Sequence, residues 1–113
     1  MKNYELQALR KLLMLSVAEA AIHLGKVTVR TWQYWESGSH AVPEYVSARI
    51  RELVEMRAQS LVTRTLVLDH QGTKMEIAYY HTIDEFEFAT RQRNIVIWRL
   101  SQSIAVALYN GGK

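Results

Sequence analysis

The chain has 113 residues, 49% of them hydrophobic, and a formal net charge of +3 with its four histidines neutral. This length fits one compact domain or two very small ones, and this share of hydrophobic residues excludes a disordered chain. The absence of cysteine excludes a disulfide framework, thiolate-held zinc or iron–sulfur clusters and a cysteine nucleophile.

Met1–Glu5 lacks a secretory apolar region, and no run reaches the roughly 18 apolar residues of a membrane span, so a cytoplasmic protein is expected. The charge is uneven. Residues 1–65 hold nine basic and six acidic side chains, while residues 66–113 balance five against five. Any surface that faces an anion is therefore expected in the first half, although +3 over that length is also what ordinary solvated surface carries.

The spacing predicts four helices in the first half. Asn3 is the expected cap of the first, with Leu6, Leu9 and Leu13 inward and Arg10 and Lys11 outward. Ser16 and Glu19 have the spacing of a capping box that opens a second helix. Val17, Ala20, Ala21 and Leu24 form its small inner face, and Gly25 stands where a left-handed glycine ends a helix. Thr28 caps a third helix that stops at Gly38, with Trp32 and Trp35 on its apolar side and Arg30, Gln33, Tyr34 and Ser37 on another. Pro43 suits the first turn of a fourth helix with a stripe at Val46, Ile50, Leu53, Val54, Arg57/Ala58 and Leu61, running to about Val67.

The second half has a different texture. Thr73–Tyr80 alternates Met75, Ile77 and Tyr79 and reads as a half-buried strand after a turn at His70-Gln71-Gly72. Thr82 to Glu85 reads as another capping box, opening a helix with Phe86 and Ala89/Thr90 inward. Ile95–Trp98 is a β-branched apolar run that reads as a second strand, with a helix starting near Asn94 as the alternative. Ser101–Tyr109 closes the chain as a helix. The fold class expected is mainly α with a small α+β C-terminal part: a four-helix domain over 1–67 and a strand–helix–strand–helix region over 68–113. Two strands are too few for a stable sheet, and about 45 residues too few for a separate core. Either this half packs on the long fourth helix or a second copy of the chain completes both; a dimer solves both problems, with Phe88, Trp98, Ile97 and Tyr79 the expected interface residues.

Two short helices joined by a glycine-containing turn are the signature of a helix-turn-helix. Ser16 through Gly38, with Ala21, Gly25, Trp35 and Glu36, resembles the XRE/Cro-like family over roughly the first 60 residues. Tyr4–Arg10, Thr31–Gly38, Ala41–Pro43 and the downstream block Val96–Ala105 resemble, over nearly the whole chain, the YdiL-like group. Within that group the chain is most similar to anti-CRISPR-associated (Aca) regulators of the second type. The resemblance implies a phage- or mobile-element-encoded homodimeric autorepressor bound to inverted repeats in the promoter of an anti-CRISPR operon. One residue departs from the wider Cro-like pattern: Val17 stands where many members place a phosphate-contacting Gln.

Within such a motif Arg30 is the sharpest candidate for base reading, because its planar fork matches O6 and N7 of guanine. Gln33 suits adenine or a phosphate. Tyr34 suits a thymine methyl, a phosphate or a packing role, and Val29 a thymine methyl. Thr28, Lys26, Thr31, Ser39 and His40 are the candidate phosphate contacts around the start and end of the helix. Trp32 and Trp35 are expected in the core, and Glu36 in an internal pair.

An enzyme is not expected. The histidines show no metal-ligand spacing, Asp69-His70 stands without a nucleophile constellation, and there is no glycine-rich phosphate loop, so no metal or cofactor is implied. Two other classes remain beside the repressor: an antitoxin-like module that holds a protein partner, and an RNA-binding regulator for which Tyr79, Tyr80 and Lys74 are the hints.

Overall fold

The computed structural model describes residues 1–71 and 77–111, with side chains of 65–71 and 110–111 left aside. Among the described residues all regular structure is helical: α1 (Asn3–Leu12), α2 (Val17–Ala20) continuing into a π-helical turn (Ala21–Gly25), α3 (Val29–Ser37), α4 (Glu44–Gln71), α5 (Ile83–Thr90) and α6 (Ile95–Gly111). The chain divides into two compact units, Met1–Val54 and Glu55–Lys113.

In the first unit the apolar periodicity becomes the core. Leu6, Leu13, Leu15, Ala20, Ala21, Leu24, Trp32, Trp35, Val46, Ile50 and Leu53 are all buried. Trp32 and Trp35 meet with ring centroids 5.5 Å apart and planes tilted by 60°. Fully burying one such aromatic is worth on the order of 3 kcal/mol, so this pair is a principal anchor of α3.

Three local expectations are corrected. Lys2, not Asn3, precedes α1, and the Asn3 side chain donates instead to the Glu36 carbonyl (3.1 Å), satisfying one of the open carbonyls that end α3. Arg10 does not point outward; it is buried, because Glu36 lies within its reach. The left-handed residue after the π turn is Lys26 (φ 56°), one position beyond Gly25. The π turn moves the end of the helix on by that residue, with Val27 N–H reaching back to the Ala21 carbonyl. Met14 (φ 60°) likewise ends α1 without a glycine, its N–H and that of Leu15 bonding to the Lys11 and Arg10 carbonyls.

α4 starts at Glu44, with Pro43 just before it accepting from the Val46 and Ser47 amides, and it extends beyond Val67 to Gln71. The turn expected at His70-Gln71-Gly72 is corrected for its first two residues, which are helical; Gly72 lies outside the described residues.

The second unit overturns the strand–helix–strand–helix expectation. Of the proposed first strand, Thr73–Glu76 lies outside the described residues, and Ile77–Tyr80 carries no ladder. The Ile95–Trp98 run is the first turn of α6, not a strand. Asn94 caps it, accepting from Ile97 N–H on its side-chain oxygen (3.1 Å) and from Trp98 N–H on its carbonyl (2.9 Å). A capping residue and a long amphipathic continuation outweigh the β-branched composition of four residues. The closing helix therefore starts at Ile95 rather than Ser101.

Val96, Trp98, Leu100, Ile104, Ala105 and Leu108 of α6 and Phe86 of α5 build this core. Ala89 and Thr90, expected inward, are exposed, because Arg91 (φ 62°) ends α5 immediately after them. Polar groups inside are paired: the Tyr80 carbonyl accepts from both Trp98 Nε1 and Gln102 Nε2 at 2.9 Å, and Arg57 Nε donates to Ser103 Oγ at 3.2 Å. No described helix is long and apolar enough to cross a membrane.

Candidate nucleic-acid interface

The segment from Ser16 to His40 builds a helix–turn–helix from its residues upward. Ser16 Oγ accepts from Glu19 N–H (3.1 Å), and the Glu19 carboxylate accepts from Ser16 N–H (3.0 Å), so α2 begins at one fixed residue. Gly25 is a glycine for space rather than for its backbone angle. A Cβ there would stand 3.0 Å from Val27 Cγ2 and 3.1 Å from both Trp32 and Trp35. The turn therefore lies directly on the two indoles, and the Tyr45 hydroxyl donates to the Gly25 carbonyl from α4. Lys26 then reverses the chain in the left-handed region, and Thr28 caps α3 by accepting from Thr31 N–H (3.2 Å). Thr31 also shares a 3.1 Å hydroxyl contact with Thr28.

α3 has two unlike faces. Behind it, Glu36 accepts three N–H donors: Arg10 Nε (2.6 Å) and Trp32 Nε1 (2.5 Å) on Oε2, and Arg10 Nη2 (3.2 Å) on Oε1. Arg10 Nη1 also donates to the Leu15 carbonyl (3.0 Å), tying the end of α1 to the same cluster. The expected internal pairing of Glu36 is thus present, with Arg10 as the partner that the sequence reading had turned outward. In front, Arg30, Gln33 and Ser37 are exposed, Tyr34 is half-buried, and Val29 lies partly open at the first turn. Arg30 Nε donates to Tyr34 Oη at 2.9 Å.

The predicted phosphate contacts surround that face. Lys26 and Thr28 are exposed at the start of α3, and Thr31 is half-buried. Ser39 and His40 are exposed beyond its end, where Gly38 (φ 86°) turns the chain. Ser39 bonds to Ser37, and the His40 ring meets the Tyr34 ring edge-on at 4.9 Å. From Ala20 to Pro43 the sequence holds one carboxylate, Glu36, and it is turned inward onto Arg10. The outer surface of this stretch therefore carries Lys26 and Arg30 with no acid of its own, as an anion-facing surface requires. Val17 is half-buried.

The four residues expected at an interface fall into two groups. Phe88 is 91% exposed and Tyr79 is 42% exposed. Ile97 is half-buried, while Trp98 is buried, with its indole N–H on the Tyr80 carbonyl and the Arg99 guanidinium 4.1 Å above its ring. Two features escaped the sequence reading: the Arg10–Glu36–Trp32 cluster and the Arg30–Tyr34 bond. The i, i+4 spacing of the last pair was a usable signal.

The family model described as Aca2/YdiL-like matches residues 1–113. The chain is 43% identical over 114 residues to the Aca2 repressor of Pectobacterium phage ZF40, covering 99% of this chain and 96% of that protein. It is 24% identical over 110 residues to the uncharacterized protein YdiL of Escherichia coli (strain K12), covering 96% and 93%. The likeness first carried by Thr31–Gly38 and Val96–Ala105 extends from end to end, and the chain belongs to the Aca2/YdiL-like family.

Proposed function

We propose that this protein is a sequence-specific DNA-binding repressor that acts as a homodimer on inverted repeats, including those in the promoter of its own anti-CRISPR operon. The observation that carries the reading is α3: Arg30, Gln33, Tyr34 and Ser37 face outward on a helix whose other side is fixed by two buried indoles and a buried ion pair. The name of the phage relative, a repressor, supports the same reading.

In this mechanism α3 enters the major groove. Arg30 and Gln33 meet base edges, with Val29 and Tyr34 beside them. Lys26, the α3 N-terminus at Thr28 and Thr31, and Ser39 and His40 hold phosphates on either side. The second unit joins two copies through Phe88, Tyr79 and Ile97, with Trp98 supporting that surface from behind. Two recognition helices about 34 Å apart then occupy successive major grooves and block polymerase.

A mobility shift with the DNA upstream of the protein's gene, beside unrelated DNA and at two salt concentrations, tests the reading. Selective binding that weakens as salt rises is expected. Arg30→Ala should cost about 1–3 kcal/mol on the selective duplex and relax preference at one base pair per half-site. Equal binding to both duplexes, or a fully selective Arg30→Ala protein, refutes it.

A further inference from the structure

Arg30 and Tyr34 stand one turn apart on the outer face of α3, and their side chains are joined. Arg30 Nε donates to Tyr34 Oη at 2.9 Å, with the guanidinium carbon 5.8 Å from the ring centroid. That bond decides which edge of the guanidinium is open. An arginine can offer a guanine two parallel donors from its side edge, Nε with Nη2, or from its end, Nη1 with Nη2. Tyr34 takes Nε, and the Nη1–Nη2 end has no partner among the described residues.

Tyr34 is itself held in place. Its ring meets the His40 ring edge-on, and its carbonyl accepts from Ser37 Oγ (3.1 Å) and from His40 N–H (3.2 Å). The loop after α3 thus fixes Tyr34, and Tyr34 fixes Arg30.

We propose that Tyr34 is a positioning residue for base recognition: its hydroxyl holds Arg30 so that the Nη1–Nη2 end is presented to guanine O6 and N7. The inference rests on the DNA-binding reading above and adds how that site chooses its base. An arginine already held loses less freedom on docking, an advantage of about three- to tenfold in affinity. A pre-aimed pair of donors also discriminates. It fits the two acceptors of guanine, whereas adenine presents a donor at the corresponding edge. Tyr34 Oη keeps its own proton and could therefore touch DNA directly, so the test must separate the two roles.

Duplexes selected by the wild-type protein from a randomised pool supply the probe, together with versions in which each guanine of the half-site is replaced. Affinities are measured for wild type, Tyr34→Phe, Arg30→Met and the double variant. Phe keeps the ring against His40 and removes only the hydroxyl.

The expected result is a three- to tenfold loss for Tyr34→Phe on the selected duplex, with a matching loss of guanine preference at one pair per half-site. Binding to random-sequence DNA and the melting temperature should stay at wild-type values. At low salt, where phosphate contacts keep binding measurable, Tyr34→Phe should change nothing further in the Arg30→Met protein. An equal loss in that background means that Tyr34 touches DNA itself and overturns the proposal. Unchanged base preference in Tyr34→Phe, with wild type selective, overturns the proposal alone. A wild type that selects no sequence fails the DNA reading and the proposal with it.

Discussion

The cluster behind α3 gives a graded prediction. Arg10 and Glu36 keep 10% and 9% of their side-chain surface, so their charges are almost fully desolvated. Glu36→Gln leaves one oxygen for Arg10 Nε and Trp32 Nε1 but places an amide where Oε1 received Arg10 Nη2 at 3.2 Å. One hydrogen bond becomes a contact between two donors, and the compensating charge disappears. Breaking a buried pair costs about 3–5 kcal/mol, so retention of two bonds puts Glu36→Gln near 3 kcal/mol and Glu36→Leu, which keeps none, near 5. At roughly 4–8 °C per kcal/mol for a unit of this size, Glu36→Gln should lower the melting temperature by about 12–24 °C.

Denaturant unfolding of wild type, Glu36→Gln, Arg10→Met and the double variant measures this directly. The double variant should cost clearly less than the sum of its singles, because each single strands the other's buried group. Additive losses, or a Glu36→Gln protein within about 1 kcal/mol of wild type, would refute the account of α3 as anchored through this cluster.

Three further outcomes are expected. Lys26→Gly should raise stability slightly by relieving a left-handed non-glycine residue, yet weaken DNA binding and reduce the salt slope by about 2 per dimer, read from affinities across a salt series. Gly25→Ala should destabilise by about 1–2 kcal/mol in thermal melts, since its methyl would press on Val27 and two buried indoles while gaining only the usual advantage of alanine in a helical backbone. Phe88→Glu should leave the melting of diluted protein unchanged within about 0.5 kcal/mol, because the ring is 91% exposed, and should shift sedimentation toward monomer.

The first unit was largely legible because its signals are local. The Ser16 capping box, the Thr28 cap, the Gly38 stop and the Leu6–Leu13 stripe each work within one helix, and each appears in the structure. What was missed depends on contacts distant in sequence. Nothing near Arg10 announces that Glu36, twenty-six residues on, will draw it inward. Gly25 was rightly singled out, but for its backbone angle rather than for the indoles that lie against it.

In the second half a four-residue β-branched run was given more weight than the Asn94 cap ahead of it. Period-two burial at Val96, Trp98 and Leu100 also fits a helix buried on several sides. The outer face of α3 was readable residue by residue; the i, i+4 spacing of Arg30 and Tyr34 allowed a contact between them, but which guanidinium nitrogen Tyr34 takes depends on rotamers.

The three tryptophans divide between the units in a way that makes each unit its own spectroscopic reporter. Trp32 and Trp35 are buried in the first, where Trp32 lies against a carboxylate. Trp98 is buried in the second, beneath a guanidinium. Replacing Trp98 by Phe leaves an emission that follows only the first unit, and replacing Trp32 and Trp35 leaves one that follows only the second. The Trp98→Phe protein thus reports the unfolding of the first unit by its own light, and comparison with the melt of the whole chain shows whether the two units come apart together.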